Sequence, residues 1–182
     1  MYNPIDVETG AVRTVSGDGV IKSSGIGSCV AVVAYDPLRR IGGIAHVMLP
    51  GQCLNSTHKY PTRYCPRAID ELLHQLQNKG AHREDLVICL VGGANVLQRE
   101  DCTIGKENIE AINLYLKKKG LRPVARRVGG TLWRSARLNV ETGEIICTEG
   151  GQHTKLLWRP ETKCASVNYS SRLETSETTV AG

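Results

Sequence analysis

Cys29 sits in the stretch SSGIGSCVAVVAYD, residues 23 to 36, where a glycine-rich segment runs into a β-branched apolar run. A thiol there is either a small buried hydrophobe opening a strand or a nucleophile held at the strand's rim. The nucleophilic reading requires a base within reach and donors for a developing oxyanion. His46, in IGGIAHVML, is the base candidate, because it falls on the next apolar run across an Asp36–Arg40 turn. Counting back from that turn sets Cys29 opposite residue 46 or 47, and a slip of one residue would carry His46 to the other face. Backbone N–H groups of Gly27 and Ser28 are the oxyanion candidates, since amides in a glycine-rich turn can converge on negative charge. Ser23 and Ser24 offer a hydroxyl to the second ring nitrogen. Asp36 offers a carboxylate, but it is better explained by the Asp-Pro turn it begins. On spacing alone, a core cysteine and a core histidine remain the alternative.

The remaining thiols give no competing site. Cys53, Cys65, Cys89, Cys102, Cys147 and Cys164 bring the total to an odd seven with no C-x-x-C pair, which fits neither a zinc knuckle nor a secreted disulfide framework. Cys89, inside LVICLV, reads as core packing. The histidines are scattered, so no metal or organic cofactor is expected. A net charge of +5 permits an anionic partner without demanding one. Its densest segment, KKKGLRPVARR, complements a helix C-terminus. Two Trp, six Tyr and no Phe, with no recognition motif, leave nucleic acid without support. No apolar run reaches the roughly 20 residues needed to span a bilayer, and the N-terminus lacks the order of a secretory signal. A cytoplasmic protein with no membrane insertion is the expectation.

The elements that must position these residues follow from periodicity. Residues 11 to 22 read as a strand or hairpin leading to a Ser23–Gly27 turn. Residues 29–35 and 41–49 read as a strand pair, and 86–91 as a buried strand. Helices are expected at 66–79, with Ile69, Leu72, Leu73 and Leu76 inward, and at 106–119, with Ile109, Ile112, Leu114 and Leu116 inward; Gly80 and Gly120 stop them. Strands follow at 121–128, 132–140 and 144–147. His58 and Lys59 fall in a polar loop. Residues 1 to 149 make the expected domain and 150 to 182 a polar, poorly ordered tail, which Trp158 is a candidate to dock on the domain. Hairpins with separate helices point to an α+β fold, a sandwich of mixed and antiparallel strands with two main helices.

GIGSCVAVVAYDPLRRIGGIAHVMLP (25 to 50) resembles the signature of the CheD family, the chemoreceptor glutamine deamidases of chemotaxis. VGGANVL (91 to 97), TIGKENIEAINLYLKKKGL (103 to 121) and VARRVGGTLWRSARLNVETGEI (124 to 145) match further family blocks in order. The resemblance covers residues 5 to 148. It implies an α/β sandwich related to the catalytic domain of cytotoxic necrotizing factor toxins. It also implies a Cys–His–Thr triad with nucleophile Cys29 and base His46. The family threonine falls on Ser23, which keeps the hydroxyl and loses the methyl that restricts χ1; reduced rather than abolished activity is the expectation. Trp133-Arg134 replaces the family's Gly-Arg, a change expected to fall on a partner or substrate surface. The implied substrates are methyl-accepting chemoreceptors, with receptor methyl esters as a possible second substrate class. A non-enzymatic module engaging receptors and a CheC-type phosphatase is the alternative function.

Overall fold

A computed structural model describes residues 3–53 and 60–161. His58, Lys59, Cys164 and the expected tail beyond residue 161 lie outside the described residues. Among the described residues, ten strands and two α-helices run in the order β1 (Ile5–Asp6), β2 (Val12–Ser16), β3 (Val20–Ile26), β4 (Val30–Asp36), β5 (Ile41–Val47), α1 (Cys65–Asn78), β6 (Val87–Gly92), α2 (Ile104–Lys118), β7 (Pro123–Val128), β8 (Arg134–Asn139), β9 (Ile145–Glu149) and β10 (His153–Trp158). They form two five-stranded mixed sheets. One is ordered β1-β3-β8-β9-β10 and the other β2-β5-β4-β6-β7. The only parallel pairs among the described strands are β1 with β3 and β6 with β7.

The layers follow from side-chain alternation. Every residue of β4 and β5 is buried, so both faces of this central pair are covered. Val30, Val32 and Ala34, with Ala45 and Val47, face the helices and meet Ile69, Leu72 and Leu76 of α1 and Ile112 and Leu116 of α2. Each such Leu or Ile contributes about 1.5–3 kcal/mol by leaving water. Ala31, Val33 and Tyr35, with Ile44, face the other sheet and pack on Ile21, Ile26, Ala136 and Leu138. The result is three layers, with helices on one sheet and that sheet on the second. This is the expected α+β sandwich with two main helices.

The structure departs from several of these expectations. The Ser23–Gly27 turn is instead mostly strand: β3 runs to Ile26 and pairs with β8, with a bulge between Ser23 and Ile26. Neither is β3 the hairpin partner of β2, since the two lie in different sheets. Leu114 is exposed rather than inward, because it lies two residues, about 200° of helix, from the buried Ile112. Beyond the expected boundary at 149, His153–Trp158 forms β10 on β9, and Trp158 meets Tyr35 edge to face at 6.2 Å. Among the described residues no helix is long and apolar enough to cross a membrane.

Candidate active site

The β4–β5 ladder pairs Ala31 with His46 and Val30 with Val47. Continued one residue, it sets Cys29 opposite Met48 rather than opposite 46 or 47. Cys29 packs against the same cluster as Ala31, between the two sheets, and His46 projects from that face of the sheet opposite Ala31. Nucleophile and base candidates are therefore diagonal neighbours on the side of the sheet that meets the second sheet. Cys29 lies just outside the strand in a bend at residues 27–29 and is partly exposed, while His46 is buried. Gly92 allows this placement. It has φ +123°, and a Cβ there would run into the Cys29 carbonyl and Ile26. The next amide, Gly93 N–H, donates to that same carbonyl at 2.6 Å.

Ser23 comes from the other sheet. It is completely buried, and its Oγ lies 2.8 Å from His46 Nδ1 and 3.1 Å from the Val7 carbonyl oxygen. A carbonyl can only accept, so the single hydroxyl proton goes to Val7 and Oγ accepts from Nδ1–H. That tautomer leaves Nε2 as a lone-pair nitrogen. Nε2 is buried and has no hydrogen-bond partner. Ser24, the neighbouring candidate, is exposed and stays apart from the ring. Asp36 is also apart, holding the backbone of Leu38, Arg39 and His82 at the far end of the hairpin. The second bond to Val7 restrains the Ser23 rotamer in the way a threonine methyl otherwise would.

The electrostatics favour an uncharged resting pair. Burial pushes the His46 imidazole below its ordinary value, and the Val7 carbonyl offsets this only in part. Burial likewise raises the Cys29 thiol, an effect its own backbone amide offsets only in part. A neutral imidazole with a free Nε2 accepts a proton, and a neutral thiol supplies one. Cys65 and Cys89, by contrast, are fully buried thiols raised to about 12, as inert core groups should be.

Two contributions escape a reading of the sequence. Asn108 of α2 is completely buried, and its Nδ2 donates to the carbonyls of Ser28 at 2.9 Å and Met48 at 3.0 Å. In the sequence it is a polar residue on the apolar stripe of Ile109, Ile112 and Leu116, and it ends the I-G-x-x-N of the block that resembles the family's helix start, but neither signal names its partners. The Val7 carbonyl carries no signal in its residue type at all. Of the Trp133-Arg134 pair, Trp133 is exposed. Arg134 is buried, held by Glu149 at 2.8 Å and the Gly129 carbonyl at 2.7 Å.

The family model described as CheD chemotactic sensory transduction matches residues 48–149. A protein of Chlorobium luteolum named probable chemoreceptor glutamine deamidase CheD is 40% identical over 82% of this chain and 75% of its own length. The chemoreceptor glutamine deamidase CheD of Thermotoga maritima is 37% identical over 78% of this chain and 89% of its own. A protein of Methanococcus maripaludis, also named a probable chemoreceptor glutamine deamidase CheD, is 40% identical over 70% of this chain and 83% of its own. The chain belongs to the CheD family. The matched family segment begins just past His46.

Proposed function

We propose that this CheD protein deamidates glutamine side chains of chemoreceptors through a Cys29 thioester. The observation that carries the reading is the buried, unpartnered Nε2 of His46, with its ring fixed by Ser23 and facing the side of the sheet from which Cys29 projects. His46 Nε2 takes the Cys29 proton as sulfur attacks the carboxamide carbon. The amides of Gly27, Ser28 and Cys29 surround the oxyanion. Collapse breaks the C–N bond, and His46 returns the proton to nitrogen, which leaves as ammonia. Water then gives a proton to His46, attacks the thioester and expels Cys29 sulfur, which recovers the proton. The sum is glutamine plus water to glutamate plus ammonia, and this route needs no cofactor. The same acyl transfer would hydrolyse a receptor methyl ester, since the carbonyl electrophile is shared.

The test is mass spectrometry of a chemoreceptor cytoplasmic fragment incubated with the protein, together with an ammonia assay. Each converted glutamine gains about 1 Da as OH replaces NH₂. Cys29→Ala should remove the gain while leaving the fold intact. Deamidation by that variant at the wild-type rate overturns the proposal. Receptor binding with no mass change by the wild-type protein would instead support the non-enzymatic module.

A further inference from the structure

We infer that Asn108 is a positioning residue for the proposed reaction, orienting the Ser28–Cys29 peptide so that the Cys29 N–H faces the reacting carbonyl. This rests on Cys29 being the nucleophile. Asn108 stands on α2, which belongs to neither sheet, yet its side chain closes the end of the β4–β5 ladder. The last paired residues are Val30 and Val47, and beyond them no ladder bond holds the two strands together. Asn108 Nδ2 bridges that gap by donating to Ser28, just before Cys29, and to Met48, two residues after His46. Both acceptors are carbonyls, so the nitrogen must be the atom facing them; Oδ1, buried on the other branch, has no partner.

The consequence follows from peptide planarity. In a trans peptide the C=O and N–H point in opposite directions. Holding the Ser28 oxygen toward α2 therefore holds the Cys29 N–H away from it, on the side of the thiol. The helix comes close enough to do this because residue 105 is glycine. A Cβ on Gly105 would lie 2.7 Å from the Gly93 carbonyl oxygen and 2.9 Å from its carbon. Gly93 in turn donates to the Cys29 carbonyl, so the N-terminal part of α2, through Gly105 and Asn108, braces the peptides on both sides of the nucleophile. A buried amide used only for packing would turn both branches to partners. Here one branch is committed to the two strand ends and the other is left bare.

The test uses the full chain and a chemoreceptor cytoplasmic fragment. Asn108→Leu keeps the approximate shape and removes the donor. We expect kcat to fall about 100-fold with KM changed less than about threefold, because a displaced oxyanion donor acts on the transition state. Alkylation of Cys29 by iodoacetamide forms no oxyanion and should change by less than about threefold. Asn108→Asp retains a donor only while protonated, so its kcat relative to wild type should recover as pH is lowered. Near-wild-type kcat in Asn108→Leu overturns the inference. So does a joint fall of kcat, alkylation rate and melting temperature, which marks a purely structural role. Should Asn108→Leu not fold, a pH-independent ratio of Asn108→Asp to wild type overturns it equally. Cys29→Ala, run alongside, separates the two claims. If that variant still deamidates, the nucleophile assignment falls and takes this inference with it. If it is inactive while Asn108→Leu is fully active, only the inference about Asn108 falls.

Discussion

The two ends of the β4–β5 ladder each bury a titratable side chain, and they treat it oppositely. At the turn end, Asp36 is fully buried and every bond it needs is made. Oδ1 accepts from Leu38 N–H and Arg39 N–H, and Oδ2 from Arg39 and the amide of His82. At the open end, His46 keeps one nitrogen without a partner, and Asn108, bridging the strand ends there, keeps one oxygen. A buried polar group left unsatisfied costs roughly 1–3 kcal/mol. A fold that saturates one end of a hairpin and leaves the other bare holds the bare end for something the folded chain does not itself supply. The turn end is structural; the open end is where the proposed chemistry belongs.

Substitutions can break that contrast. The largest effect is expected at His46. His46→Leu should lower kcat by about 10²–10⁴-fold, the usual weight of a general acid–base group. It should melt no lower than wild type, because it removes an unsatisfied group, and calorimetry beside the ammonia assay checks both. Since burial holds the His46 imidazole below 6.5, its ordinary value, the base stays neutral into mildly acidic solution. The acid limb of kcat/KM should therefore lie below pH 6.5, and a limb above it would contradict the assignment.

A smaller loss is expected at Ser23. Ser23→Ala frees the imidazole and should reduce kcat about 10–100-fold, as part of the general-base contribution depends on orientation. Ser23→Thr should stay within about threefold of wild type, because Val7 already restrains the hydroxyl. A large gain in Ser23→Thr would show that the lost methyl matters more than the Val7 bond.

The smallest effect on activity is expected at Asp36. Asp36→Ala should leave kcat within about twofold yet destabilise the fold by about 2–3 kcal/mol, as several donors lose their acceptor together. Burial alone would raise the Asp36 carboxyl, but its hydrogen bonds to His82, Arg39 and Leu38 bring it below its ordinary value. Its stabilisation is therefore complete above the unfolded carboxylate value and drains away as pH falls through the lower folded one. Denaturant midpoints from neutral to acidic pH should fall for wild type and change less for Asp36→Ala.

How much of this was legible in the sequence varies with how local the signal is. The β4–β5 hairpin is readable because its apolar runs and its Asp-Pro turn are contiguous, as are both helices with their glycine stops. The face of His46 relative to Cys29 came within reach, though the β4–β5 register, continued past its last pair, sets Cys29 opposite Met48. A two-residue offset preserves the face, so the candidate pairing at 46 survives where the one at 47 would not. Ser23 is harder. Its neighbours read as a turn, and nothing within six residues of Cys29 says that the chain crosses to a second sheet before returning. Its assignment as the third group came from the resemblance, and the geometry shows a hydroxyl that reaches His46. The role of Asn108 needed the tertiary structure, since an asparagine on a helix stripe, even within a block that resembles a family motif, does not announce which carbonyls it will find.

Ser23 and His46 meet across the seam between the two sheets, and this gives the proposed enzyme a built-in order of assembly. The hairpin alone can bring the imidazole and the thiol to one face, but only docking of the second sheet fixes the ring's tautomer. A nascent or partly opened chain therefore carries a thiol whose base is not yet oriented. Mild pressure or denaturant that parts the sheets should silence deamidation while the strands themselves persist.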